Sequence, residues 1–189
     1  MPVDYLLAQA QTCGTPLALC LLDLEKAFDT VPYHRLLEVL SNTYGVNAAM
    51  LETIRWVLVD TWGQVPGGKQ PFQTTMGIKS GCPMLPLLFC LYCNRVTEYI
   101  KTHMAATDVV QVAQLMLQAA LYADDVMLMA PNPSSLQTQL TSLIDFATAE
   151  HLRVSKEKTL VLLENCTGKV HLDDTELQEV IESKYLGII

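Results

Sequence analysis

The stretch from Leu115 to Ala130, LMLQAALYADDVMLMA, carries two apolar runs, Leu115 to Ala123 and Val126 to Ala130, on either side of Asp124-Asp125. Apolar runs of this length bounded by polar residues read as buried strands. The pattern predicts a hairpin with two acids at its tip. Another short apolar run, Leu17 to Leu22, ends in Asp23, as expected of a strand buried on both faces. Three carboxylates thus stand at the ends of apolar strands. Brought together without cations, they would force a proton onto one of them. A divalent metal removes that conflict, because hard oxygen donors suit Mg²⁺ and the ion offsets the clustered charge. For Asp124-Asp125 alone a polar turn is the plainer reading, since Asp is common in turns.

Outward from these strands the pattern becomes helical. Pro32 opens a stretch with Leu36, Leu37 and Leu40 on one side, and Ala48 to Leu58 carries Met50, Leu51, Ile54 and Val57 at helical spacing. Thr61 to Val65 and Pro71 to Thr75 flank Pro66-Gly67-Gly68-Lys69 and predict a hairpin with a loose turn. Pro83 to Lys101 reads as a largely buried helix. Ser134 and Gln137 match the S-x-x-Q capping box, which opens a helix running through Glu150. Short strands are expected in Leu152 to Leu163, Lys169 to Leu172 and Ser183 to Ile189. Strands and helices alternate loosely among hairpins, so the class is α+β.

The 189 residues are half apolar and 17% charged, which excludes wholesale disorder and allows one domain with a real core. With no repeat and no long linker, a single domain over residues 1–189 is the simplest parse. No apolar run reaches the roughly 18 residues of a membrane span, and no secretory signal is visible. Six irregularly spaced cysteines favour reduced thiols in an intracellular protein. Cys90-x-x-Cys93 lacks a second ligand pair and lies in an apolar helix, which argues against zinc. The net charge of −8 counts against nucleic-acid binding, because phosphate neutralisation needs a basic surface.

Five segments nevertheless resemble, in order, the motifs of the reverse transcriptase family, especially LINE-type, non-LTR retrotransposon enzymes. Leu22 to Pro32 (LDLEKAFDTVP) resembles the first catalytic motif, and Gly77 to Phe89 (GIKSGCPMLPLLF) the second. Tyr122-Ala123-Asp124-Asp125 matches the third, Leu152 to Thr159 (LRVSKEKT) resembles the fourth, and Lys184-Tyr185-Leu186-Gly187 matches the fifth. The resemblance implies a polymerase palm, a ferredoxin-like β-sheet with helices on one face, acting as an RNA-directed DNA polymerase. It implies two Mg²⁺ ions (Mn²⁺ in their place) held by Asp23 and Asp124, with Asp125 a weaker or outer ligand. The partners so implied are an RNA template, a DNA primer and dNTPs, and the nucleus becomes a possible location.

The same resemblance places Phe28 under the incoming sugar, where a flat ring excludes a 2′-hydroxyl, although an ordinary core Phe is the alternative. Lys158 matches a lysine that the family uses as an acid toward pyrophosphate, with a solvated strand-end lysine as the alternative. Ser80 and Gly81 fall in the substrate-contacting part of the second motif. Ser80 replaces the usual Gln, Leu85 a small Ser, and His151 and Ser155 the usual Gly and Asn of the fourth motif. Only sixteen residues precede Leu17, none of them Lys or Arg, where the family places basic fingers, and nothing thumb-like follows Gly187. The expectation is a partial palm. Two functions remain open at this point: a polymerase palm, and a catalytically inactive remnant serving as a structural or interaction domain.

Overall fold

The computed structural model describes residues 2–59, 62–63, 67–68, 70–73, 76–77, 84–103, 110–112, 115–117, 119–122 and 125–180. In chain order come helix α1 (Pro2–Cys13), strand β1 (Leu17–Asp23), the single turn α2 (Ala27–Thr30), and helices α3 (Tyr33–Asn42) and α4 (Ala48–Val59). A small antiparallel pair, β2 (Trp62–Gly63) and β3 (Phe72–Gln73), precedes helices α5 (Leu85–Cys93) and α6 (Arg95–Thr102). Strands β4 (Val110–Val112), β5 (Leu115–Leu117), β6 (Ala119–Tyr122) and β7 (Asp125–Ala130) lead into the long helix α7 (Pro133–Ala149). Strand β8 (Leu160–Glu164) and the short strands β9 (His171–Leu172), β10 (Thr175–Glu176) and β11 (Gln178–Glu179) follow.

The main sheet has the order β11-β8-β1-β7-β6, with β1 at its centre. β1 runs antiparallel to both neighbours, and β6 and β7 form a shorter hairpin than expected: Leu115–Leu117 is a separate strand, β5, paired with β4, and Asp125 belongs to β7 rather than to the tip. Alternation along β1 sorts the apolar residues onto two faces. Ala18, Cys20 and Leu22, with Val126, Leu128 and Ala130 of β7, face the main core. There they meet Leu36 and Leu40 of α3, Phe89 and Tyr92 of α5, and Leu136, Leu140 and Leu143 of α7. Leu17, Leu19, Met127 and Met129 face the other way and are covered by Leu6 and Ala10 of α1. The main helices pack on one face, and α1 adds a smaller layer across part of the opposite face.

Several expectations are refined. The helix expected over Pro83 to Lys101 is divided at Asn94, which ends α5 and opens α6. The cap of α7 is Asn132, whose side chain accepts from the Ser135 N–H at 2.9 Å, with Pro133 in the first turn. Gln137 is used elsewhere. Its amide donates to the His171 carbonyl at 2.9 Å and accepts the His171 N–H at 2.7 Å, clamping β9 to α7. Of the apolar face expected on α4, Ile54 is buried, whereas Met50 and Val57 are exposed. Residues 152–159 form a turn with a single bridge, Leu24 to Val154, and the strand begins at Leu160. The segment 183–189 lies outside the described residues.

Candidate active site

Asp23 is the last residue of β1 and Asp125 the first of β7, and the two are directly opposed across the pair. Both share strand parity with Leu19, Leu21, Met127 and Met129, so their side chains belong to the face that α1 partly covers. The α1 cluster involves the other end of β1, around Leu17 and Leu19. Like charges directly opposite each other on neighbouring strands are unfavourable. A cation answers them here: the Lys158 Nζ donates to Asp23 Oδ2 at 3.1 Å.

Lys158 is brought there by backbone. The Glu25 N–H donates to the Arg153 carbonyl at 2.8 Å and the Ser155 N–H to the Asp23 carbonyl at 2.9 Å, so residues 153–155 run alongside the end of β1. The Thr159 hydroxyl and N–H both donate to the Ser155 carbonyl, at 2.6 and 3.1 Å, closing the turn that presents Lys158. His151 enters this segment with φ +59°, a left-handed conformation that favours glycine. That accounts for the glycine at this position in the resembled motif, and His is among the residues that tolerate it.

Beyond Asp23 the chain turns through Lys26, also left-handed at φ +46°, into α2. Phe28 on that turn is half-buried, its ring centroid 4.4 Å from that of Phe89 on α5 and tilted by 35°. Gly77, at the start of the second motif, donates its N–H to the Val31 carbonyl at 3.1 Å. Its φ is +90°, and a Cβ there would lie 2.9 Å from the Asp29 carbonyl oxygen. Glycine is therefore required where the second motif meets the first. Asp124, Ser80 and Gly81 lie outside the described residues.

The donor set suits a hard divalent cation: two facing carboxylates, with an ammonium already drawn to one of them. Among the described residues no group of three or more His, Cys, Asp or Glu is arranged to hold a metal, so the described part of such a centre is the Asp23–Asp125 pair. No helix among the described residues is long and apolar enough to cross a membrane.

The family model for reverse transcriptase (RNA-dependent DNA polymerase) matches residues 7–189. The chain belongs to the reverse transcriptase family. It is 25% identical over 183 residues to the "Retrovirus-related Pol polyprotein from type-2 retrotransposable element R2DM" of Drosophila melanogaster, covering 88% of this chain and 17% of that protein. This relative agrees with the retrotransposon character of the five motifs. Among solved structures, apo telomerase from Candida tropicalis superposes with a TM-score of 0.63 at 14% identity, over 94% of this chain and 34% of that one. Telomerase from Candida albicans, in complex with the TWJ fragment of telomeric RNA, gives 0.59 at 14% identity, over 89% and 31%. These likenesses support the polymerase palm fold. The reverse transcriptase domain described here spans about a fifth or less of the curated relative and about a third of the solved chains.

One polar cluster of this reverse transcriptase domain has no counterpart in the sequence reading. Glu150, at the C-terminal end of α7, has a side chain only 4% exposed. Its Oε1 accepts from Arg35 of α3 and Arg95 of α6, both at 2.8 Å, and its Oε2 accepts from the Tyr92 hydroxyl of α5 at 2.8 Å. Burial alone would raise the Glu150 pKa. The hydrogen bonds from Arg35 and Tyr92 and the charge of Arg95 outweigh it and hold the carboxyl below its ordinary range. Burial, aided by Glu150, in turn pushes the Tyr92 phenol above its ordinary range. The one signal in the sequence was an acid at a helix C-terminus, where the helix dipole disfavours it.

Proposed function

We propose that this chain is the palm of an RNA-directed DNA polymerase that joins a deoxynucleotide to a primer 3′-hydroxyl on an RNA template. The observation that carries the reading is the Asp23–Asp125 opposition at the end of β1, inside a chain of the reverse transcriptase family. Asp23, Asp125 and, by the motif, Asp124 would hold Mg²⁺ or Mn²⁺. When bound, the metal supplies acidification of the primer hydroxyl and neutralisation of the triphosphate. Asp23 and Asp125 fix where the phosphates lie, since both sit on rigid strands. Phe28, one turn past Asp23, lies under the sugar and excludes a 2′-hydroxyl. Lys158, on its anchored turn, carries the proton that the leaving pyrophosphate takes up. Ser80 and Gly81 contact the substrate.

Primer extension on an RNA template with dNTPs and Mg²⁺ tests this reading, using the 189-residue chain and the same chain within its genomic flanks. With the flanks, extension should occur and fall to background in Asp23→Ala. The chain alone should stay near background, since a net charge of −8 repels both the triphosphate and the template. Absence of extension from both proteins, or extension that survives Asp23→Ala, would overturn the polymerase reading in favour of a palm-shaped remnant.

A further inference from the structure

Two carboxylates facing each other on adjacent strands need a counter-charge even when no metal is present. We infer that Lys158 is the built-in counter-ion of Asp23, and that a divalent metal must displace it in order to bind. The inference rests on the polymerase reading, which puts the metal at Asp23, and deepens it by coupling metal uptake to release of Lys158.

The geometry makes this specific to one lysine. The turn that follows Ser155 carries two ammonium groups, and they diverge. Lys156 reaches Asp173, 2.6 Å away, whereas Lys158 reaches Asp23 Oδ2, 3.1 Å away. A protonated lysine has donors but no lone pair, so it cannot join a metal's ligand shell. A dication on the same carboxylate would repel the ammonium, because two cations within a few ångströms of each other are unfavourable even near solvent. The pair lies toward solvent on the lysine side: the Lys158 side chain is 69% exposed, against 25% for Asp23. The stem swings outward while the backbone bonds from Ser155 to Asp23 and from Thr159 to Ser155 keep the turn in place. A displaced Lys158 stays at the rim of the site, where the next available anion is the phosphate chain of an incoming triphosphate. Metal uptake thereby hands Lys158 from a carboxylate to the substrate, and the lysine holds Asp23 in place until then.

Mn²⁺ binding to the 189-residue chain, followed by electron paramagnetic resonance of the free ion, tests this without any polymerase assay. Lys158→Met should tighten Mn²⁺ binding about three- to tenfold, the scale expected for removing one partly exposed ion pair and its repulsion. Lys158→Arg, which keeps the charge, should stay within about twofold of wild type, as should Lys156→Met. If Lys158→Met binds no more tightly than Lys156→Met, only the general charge of the chain matters and the counter-ion role is overturned. Binding that is absent in wild type, or undiminished in Asp23→Ala, overturns the metal reading itself and this inference with it. Binding that needs Asp23 but ignores Lys158 overturns the inference alone.

Discussion

Phe28 sits between two environments. One side of its ring rests on Phe89, which is fully buried in α5, and the residue itself is half-buried five positions after Asp23. The buried side fixes the ring, because Phe89 is enclosed by the main core and cannot retreat without opening a cavity. The other side is therefore a rigid surface five positions after Asp23, the proposed metal ligand. Under the proposed function, a phenyl face there would exclude a 2′-hydroxyl by contact and offer it no hydrogen-bond partner, a cost of about 1–3 kcal/mol. In a polymerising form of the protein, Phe28→Val should raise ribonucleotide use roughly ten- to a hundredfold, since each 1.4 kcal/mol is a decade. Deoxynucleotide use should fall only modestly, because the phosphates stay held. The measurement is the ratio of kcat/KM for dNTP over rNTP, and a ratio unmoved by the substitution would leave Phe28 a core residue only.

Four helices meet at Glu150, and that junction fixes the helical layer on which the sheet rests. Tyr92 lies one turn beyond Phe89 on α5, so the junction also holds the helix that backs Phe28. Removing one partner of a buried ion pair costs about 3–5 kcal/mol. Arg35 and Arg95 reach solvent, so Glu150→Ala should cost less, about 2–3 kcal/mol, read by urea denaturation. The pH dependence has a definite sign. A carboxyl held below its ordinary value of 4.5 contributes stability that is fully present above that value and lost as pH falls through the depressed one. Glu150→Gln should flatten the acid limb of the stability curve, and an unchanged limb would assign that limb to other carboxylates. This junction was illegible in the sequence because its members are spread from position 35 to 150 and none lies in a motif. The β1 strand and the pairing of β6 with β7 were legible because apolar runs there end in acids, but Gln118 breaks the first run of the hairpin, and Leu115–Leu117 before it pairs with β4 instead. Helix α1 was not legible, since among its described side chains Leu6 and Ala10 are the fully buried ones, with Leu7 partly buried beside them. The cap of α7 was misplaced by two residues: Ser134 and Asn132 are both good caps, and Pro133 decided between them by favouring the first helical position.

At the scale of the whole molecule, charge decides what the palm can grip. The chain has twelve Lys and Arg against twenty Asp and Glu. At least seven of those twelve cations are already engaged by the chain's own acids: Arg35, Arg55, Arg95, Lys101, Lys156, Lys158 and Lys169. Two of the seven, Arg35 and Arg95, are held by buried Glu150. Nucleic-acid affinity at physiological salt comes chiefly from cations that replace the counterions of phosphate, and each engaged lysine or arginine must first give up a carboxylate. The facing Asp23–Asp125 pair adds negative potential where the primer end would lie. The 189-residue chain should therefore bind a primer–template duplex with a dissociation constant no tighter than roughly 10⁻⁴ to 10⁻⁶ M, the nonspecific range. Its dependence on salt should be shallow, because at least seven of the twelve cations must leave a carboxylate before they can release counterions. Fluorescence anisotropy with a labelled RNA–DNA duplex over a salt series measures both quantities. Nanomolar binding with a steep salt slope would mean that the ion pairs open to meet phosphate. The grip on template would then reside in the palm itself rather than in basic segments joined to it.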